Sequence, residues 1–536
     1  MKKLGQFLGY VGVVLLALAV LVSGLGVYTV RRSFPPVNGT LKVPGLQGKV
    51  EIFRDENGIP HIYAEDVHDL FMAQGYVHAQ DRFYQMDFWR HQTAGRLSEM
   101  YGEASLGPDK FLRTVGWMRI AEQEYSLSDP ESKSLLEAYA EGVNAYIGSR
   151  PAADLSLEYS ILALNGLNYQ PEPWNPASAL AWAKAMAWDL RGNMDEEIRR
   201  AVLNAKIGEQ KTWEYMPAPP QGYIATANNA VVGPDYPYLI SLDWDAGYRA
   251  RRIVDMINSQ PRIDIAYIQR MQGDNLSLGA KEILPYVLEL QLGDPKLAQA
   301  QEALRAWDYQ LGLDSRPAAI YMSFLNALVA GTFHDDIPED YWPDGGADTW
   351  LVLRGLLEKP ESEWWDSQNT PGVETRDDIL RQALAEGYAA LEERLGGDPD
   401  EWTWGGLHTA TFVNATVGRT GIAPIDALFN RGPFPAAGFS GIVNNTGGSL
   451  ARDDRTDPKN RSDAFAVRSV PSLRLIADLS DLNNSLLIYT TGQSGHAYHP
   501  HYIDMADRWR FIQYHPMLWE HADVERSAEG HLTLVP

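Results

Sequence analysis

The first feature in the hydrophobic pattern is an uncharged stretch from Phe7 to Val30, rich in Leu, Val, Gly and Ala, behind Lys2 and Lys3. At a rise of about 1.5 Å per residue, a helix of that length crosses the apolar layer of a bilayer. Basic residues in front of it favour a cytoplasmic N-terminus. The stretch is longer than a usual signal-peptide core and has no clear A-x-A cleavage site, so an uncleaved anchor over residues 1–32 is expected, with the rest of the chain on the outer, periplasmic or extracellular, face.

A short linker, residues 31–47, comes next. Val50 to Phe53 and Ile62 to Tyr63 then read as strands flanking the turn region from Asp55 to Pro60. From Leu70 to Tyr101 there is no proline, and aromatics and Met interleave with charges, which predicts helices with one buried face. Asp129-Pro130-Glu131 opens a further helix, with Leu135, Leu136, Tyr139, Val143, Tyr146 and Ile147 at three- and four-residue spacing behind it. Another runs from about Arg376 to Leu395 and stops at Gly396-Gly397. In the last third, alternating Leu473, Leu475, Ala477 and Leu479, then Leu486 to Tyr489, predict sheet. Between a helix over 196–206 and a strand-like Tyr223 to Val232 lies the proline-rich connection Glu214 to Gly222.

The chain has 536 residues, 45% of them hydrophobic and 22% charged, which is the composition of a folded protein with a large core. Acidic residues outnumber basic ones 70 to 46, and a field of that sign repels phosphate backbones, so nucleic acid is excluded as a partner. The absence of cysteine removes disulfides, thiolate metal sites and a cysteine nucleophile together. Any covalent catalysis must use another side chain.

Several blocks carry more specific information. They are Arg54-Asp-Glu-Asn-Gly-Ile-Pro-His-Ile62, then Gly75-Tyr-Val-His-Ala-Gln-Asp-Arg82 with Met86-Asp87, then Gly95-Arg-Leu-Ser-Glu99. Pro173-Trp174 follows, then Met186-Ala-Trp-Asp189 with Gly192-Asn193, and near the end Thr491-Gly-Gln-Ser-Gly-His496 with His501-Tyr-Ile-Asp504. In this order the blocks resemble the penicillin acylase family, which includes the penicillin, cephalosporin and acyl-homoserine-lactone acylases. The resemblance covers nearly everything after residue 48. It implies an α+β N-terminal-nucleophile hydrolase, an αββα sandwich of two stacked sheets between helices. In that family self-cleavage frees a serine whose own α-amine serves as base in attack on an amide carbonyl.

The family's Gly-Ser-Asn-Asn-Trp nucleophile motif does not occur in this chain. Thr226-Ala-Asn-Asn229 matches a later block, which implies an oxyanion-hole donor at Asn228, with Asn229 as the alternative. By the resemblance, residues 33–213 correspond to the family's helical first region and 223–536 to the remainder. The segment bearing the nucleophile is missing at 214–222, which leaves one sheet short of strands. Arg252 corresponds to an arginine that supports the active site. Glu197 and, more weakly, Asp243 correspond to ligands of a structural calcium ion, which needs six to eight oxygens. His496, His499 and His501 look like a metal cluster, but the block around them matches a family loop, so packing and hydrogen bonding are expected instead. The expected activity is cleavage of an acyl group from an amine, such as a β-lactam side chain or an acylated lactone, in a small-molecule acyl amide. Loss of the nucleophile leaves the chain inactive as written. The alternatives are a non-enzymatic remnant that binds acylated ligands or a protein partner, and an incomplete gene reading.

Overall fold

The computed structural model describes all residues except Met1, Asn165, 191–196, Arg199, Leu203, Asn204, 206–221, Leu242, Asp243, Ala415 and 451–463. The connection proposed as the deletion point thus lies outside the described residues apart from Gly222, as does much of the 196–206 helix. The apolar N-terminal stretch is one helix, Lys2–Arg31. Its segment Tyr10–Arg31 has a mean hydropathy of 2.5 and is exposed through Tyr28, with Thr29 and Val30 partly covered at its root. Length and composition are therefore sufficient to cross a membrane.

The strands are β1 (Gly39–Lys42), β2 (Val50–Asp55), β3 (Pro60–Tyr63), β4 (Thr409–Phe412), β5 (Arg431–Pro435), β6 (Leu473–Ile476), β7 (Leu486–Tyr489), β8 (His515–Pro516) and β9 (Ala528–Val535). They form sheets ordered β1-β9-β2-β3, β4-β5 and β6-β7-β8. The mixed helix-and-sheet class expected from the sequence holds. β2 and β3 are the anticipated hairpin pair, in register from Glu51 opposite Tyr63 to Arg54 opposite Pro60. The strand from the far end of the chain, β9, lies between β1 and β2, so both ends of the sequence share one sheet.

Among the described residues, two large hydrophobic clusters stand beside three small ones. One gathers residues from Val43 to Trp174 together with Leu532 and Leu534 of β9. Its axis is the contact of helix Val67–Thr93 with helix Pro130–Gly148, the latter capped by Asp129 with Pro130 behind it, as the sequence predicts. The two backbones touch: a Cβ on Gly75 would lie 2.0 Å from the Tyr139 carbonyl oxygen, and one on Gly142 would lie 1.7 Å from that of Met72. The other core joins helices Leu278–Leu288, Arg316–Phe333, Ala347–Leu357 and Arg376–Leu395, with Trp350, Trp365, Trp402 and Trp404 fully buried. Arg376–Leu395 starts from a Thr375 capping box and stops at Gly396, whose φ is +95°.

Two expectations need correction. The linker over 31–47 contains β1, held parallel to β9. Tyr223 to Val232 is not a strand. Among the described residues it makes only isolated bridging, Asn229 pairing with Asp245, because Asn228 turns left-handed at φ +63° and Gly233-Pro234 ends any extension. The sheet expected at Leu473 holds as β6, and its leucines form the outer face. Leu473 and Leu475 are 56% and 43% exposed, whereas Arg474 and Ile476 are 4% and 3% exposed. The Arg474 guanidinium decides the face: it donates to the Trp509 carbonyl at 2.7 Å and to Asn444 Oδ1 at 2.9 Å, and it lies 5.3 Å from the Trp509 ring. A strand with its arginine anchored inward must turn its leucines outward.

Candidate functional site

The recognisable blocks, scattered over more than 400 residues of sequence, meet in space. Arg54 at the end of β2 forms a 2.8 Å ion pair with Asp81 of helix Val67–Thr93 and donates to Gln80 Oε1 and the Gly58 carbonyl. Asp81 also accepts from Gln493 Nε2 at 2.7 Å, and its carbonyl accepts the Gly495 N–H. The next residue, Arg82, interrupts the helix at φ −147°, ψ 29° and turns its guanidinium to the Gly492 and Gln493 carbonyls, at 2.5 and 3.2 Å. The loop at 491–496 therefore hangs on two adjacent residues of one helix. A Cβ at Gly492 would lie 2.2 Å from the His501 carbonyl oxygen, so only glycine fits there.

Arg82 and Trp89 stand in a wall between two clefts of about 600 and 710 Å³. The first is bounded by Tyr84, Phe412, Glu158, Asn414 and His496. The second is bounded by Met86, Trp174, Trp182, Tyr139 and Tyr489, with the Trp89 and Trp182 ring centroids 4.4 Å apart. Each cleft thus combines aromatic walls with many polar and charged side chains, a make-up that suits a small molecule with polar groups of its own.

The hydroxyls in these clefts are poorly placed for nucleophilic attack. Ser33 Oγ lies 3.1 Å from His496 Nε2, but His496 Nδ1 accepts the Tyr498 N–H and so lacks a proton. The ring proton must then sit on Nε2 and be donated to Ser33, leaving no lone pair to take the serine proton. Burial also pushes His496 down to about 4. Ser156 donates to Glu158, whose carboxyl is pushed up by burial, and both residues are buried, so the pair is poorly presented to a substrate. Among the described cleft residues, no other serine or threonine bonds to a group that could take its proton.

The residues singled out in the sequence lie elsewhere. Asn228 is exposed, and its Oδ1 accepts from Arg249 Nη2 at 2.8 Å, a nitrogen that also reaches Asp245. Asn229 is buried and spends its side chain locally, accepting from Ala227 N and donating to the Ala230 carbonyl. Arg252 makes a bidentate pair with Asp274, at 2.8 and 2.7 Å. Neither Asn228 nor Arg252 lines the two clefts. Glu197 is exposed on a helical stretch, and Asp243 lies outside the described residues. With Asp243 and residues 191–196 outside the described residues, the expected calcium ligands are not brought together among the described residues, and no chemistry is assigned to the ion. The cluster Asp66, His68 and Asp69 is occupied by the fold: Asp66 caps a helix, and Asp69 accepts from Gln47 N and Gly48 N.

The three late histidines each have ordinary partners. His499 Nδ1 accepts the His501 N–H, and burial pushes this imidazole down to about 4. His501 sits between Asp504 and Glu529, at 2.7 and 2.6 Å, which pushes it up. The sequence reading missed the site-building role of Arg82, although the Asp81-Arg82 pair stands in a quoted block.

The sequence blocks that meet here also match known proteins. A sequence model described as penicillin amidase matches residues 49–218 and 213–526. Acyl-homoserine lactone acylase QuiP of Pseudomonas fluorescens is 31% identical over 341 residues, 59% of this chain and 39% of the relative. Penicillin acylase 2 proenzyme of a Pseudomonas species is 37% identical over 178 residues, 33% of this chain and 22% of the relative. The matched stretches thus span two fifths or less of these relatives. A solved thermostable penicillin G acylase from Alcaligenes faecalis is 27% identical, with a TM-score of 0.25, over 30% of this chain and 84% of that one. With most of its length matched in family order, the chain belongs to the penicillin amidase family.

Proposed function

We propose that the protein is built on the plan of amidohydrolases that cleave linear acyl amides, and that the chain as written binds such an amide without hydrolysing it. The observation that supports this most is the pair of aromatic-walled clefts meeting at Arg82 and Trp89, in which the hydroxyls lack a usable base. The substrate class follows the names of the relatives, an acyl-homoserine lactone or a penicillin. In the full family mechanism Asn228 would donate to the oxyanion and Arg252 would hold the surrounding loop. Both stabilise charge that forms only after a nucleophile attacks. The N-terminal helix holds the protein at the membrane with its clefts on the outer face.

A second reading, an incomplete gene, draws on the position of the break: the two matched stretches meet at 213–218, at the proline-rich connection. Sequencing genomic DNA across codons 210–225 tests it. An intact Gly-Ser-Asn-Asn-Trp there would restore the enzyme.

The binding reading predicts one unprocessed band near 59.8 kDa on a denaturing gel. Calorimetry should detect hexanoyl-homoserine lactone or penicillin G, with binding lost in Trp89→Ala and no amine released from either. A processed chain with a new N-terminal Ser or Thr, whose mutation abolishes turnover, would overturn the proposal.

A further inference from the structure

The root of the N-terminal helix is packed into the folded body. Val30 contacts a cluster of Leu157, Phe429 and Ala497, joined by Ile161, Val417 and Tyr502. Arg32, one residue past the helix, donates to Ser160 Oγ at 2.8 Å. Phe429 ends a short helix, Ala423–Phe429, that stands out from the surface. Gly421 through Leu428 is exposed at every position except Asp426, with Ile422 and Leu428 at 55% and 53% and Ile425 at 39%. Leu164, at the end of the helix that carries Leu157 and Ile161, is also bare.

The charges fit the same picture. Asp426 is the lone acid between Arg419 and Arg431, and its carboxylate is taken up locally, accepting from Thr420 N and Oγ1 and from Gly421 N. The projection is therefore largely apolar, with the exposed Arg419 before it and Arg431 after it donating to the Leu428 and Ala497 carbonyls, on a chain whose net charge is −24. Apolar side chains flanked by basic residues are the make-up of a segment that rests in a bilayer interface, about 5–10 Å into the headgroup region. Contiguous exposed apolar groups call for a covering surface.

We propose that residues 421–429 lie in the interface of the bilayer crossed by the N-terminal helix, as a second contact with the same membrane. The occupant is a lipid surface with anionic headgroups. This rests on reading residues 7–30 as a span. The two contacts flank the root of the span and fix the tilt of the body, so that the clefts are held at a constant height above the lipid.

The absence of cysteine makes the test direct. Ile425→Cys, Leu428→Cys and, as an exposed control outside the cluster, Val373→Cys are labelled with bimane on the full chain. Each is reconstituted into phosphatidylcholine–phosphatidylglycerol vesicles with or without a nitroxide-labelled lipid. The label at 425 and 428 should be quenched about twofold or more beyond that at 373. Ile422→Ser and Leu428→Ser, introduced together in the Ile425→Cys chain, should bring quenching down to the control while the protein still floats with the vesicles. Equal quenching at all positions on floating protein overturns the second contact and leaves the span intact. A blue-shifted but unquenched label overturns it in favour of a protein cover. Protein that fails to float overturns the span and the second contact together.

Discussion

Arg54 and Asp81 form a buried ion pair of 2.8 Å with less than a tenth of either side chain exposed. It joins the sheet that holds both chain ends to the helix that carries the cleft wall. Through Gln493 it also holds the loop at 491–496.

Removing one partner leaves the other charge buried and uncompensated, which costs about 3–5 kcal/mol. Asp81→Ala should therefore lower the unfolding midpoint strongly and Arg54→Ala comparably, with the double variant less harmful than the sum. Thermal unfolding of detergent-solubilised protein would check this. A loss near that of a surface substitution would mean that water reaches the pair.

Gly75 and Gly142 let two helices touch backbone to backbone, so an added methyl has no space. Gly75→Ala should destabilise by about 1–3 kcal/mol, the usual cost of overpacking, even though alanine is the better helix former. Gly355→Ala, where nothing lies within 4 Å, is the control and should be neutral or stabilising. If the two behave alike in the same melts, the close approach is wrong.

Acid and base should weaken the protein through different histidines. His496 and His499 fall to about 4 from an unfolded value of 6.5. Their contribution is complete above pH 6.5 and is lost as pH falls towards 4. His496 is faced by Ser33, Phe34 and Tyr498, and His499 by Phe34 and His501, with Asp81 and Arg54 near enough to act on its charge. His501 is raised above 6.5 by Asp504 and Glu529, so its contribution is complete below pH 6.5 and is lost as pH rises through the raised value. Unfolding midpoints from pH 4 to 9 should therefore pass through a maximum. His501→Gln should flatten the alkaline side alone, and an unchanged alkaline side would remove His501 from the account.

The outward leucines of β6 sit on an edge strand, a surface open to pairing with other chains. Leu473→Ser with Leu475→Ser should change stability by no more than about 0.5 kcal/mol each while reducing aggregation on heating. Light scattering and unfolding, measured together, would test this. A large loss of stability would show that the leucines are covered.

Local chemistry was legible in the sequence. Asp129-Pro130 capped the helix it announced, Gly396 stopped another, and the blocks around Arg54, Gly75 and Thr491 marked the family, because caps, turns and motifs are short-range and written in adjacent residues. Tertiary structure alone decided which face of β6 is inside, since period-two alternation fixes two faces but not which one the core claims. The claim was settled by Arg474 finding acceptors at Asn444 and Trp509, distant in sequence. It also decided that β9 enters the first sheet between β1 and β2, that Arg82 rather than Asn228 stands beside the clefts, and that the Ser33–His496 pair points its proton the wrong way for catalysis. These outcomes depend on groups brought together across separations from tens to hundreds of residues, where sequence spacing carries no distance.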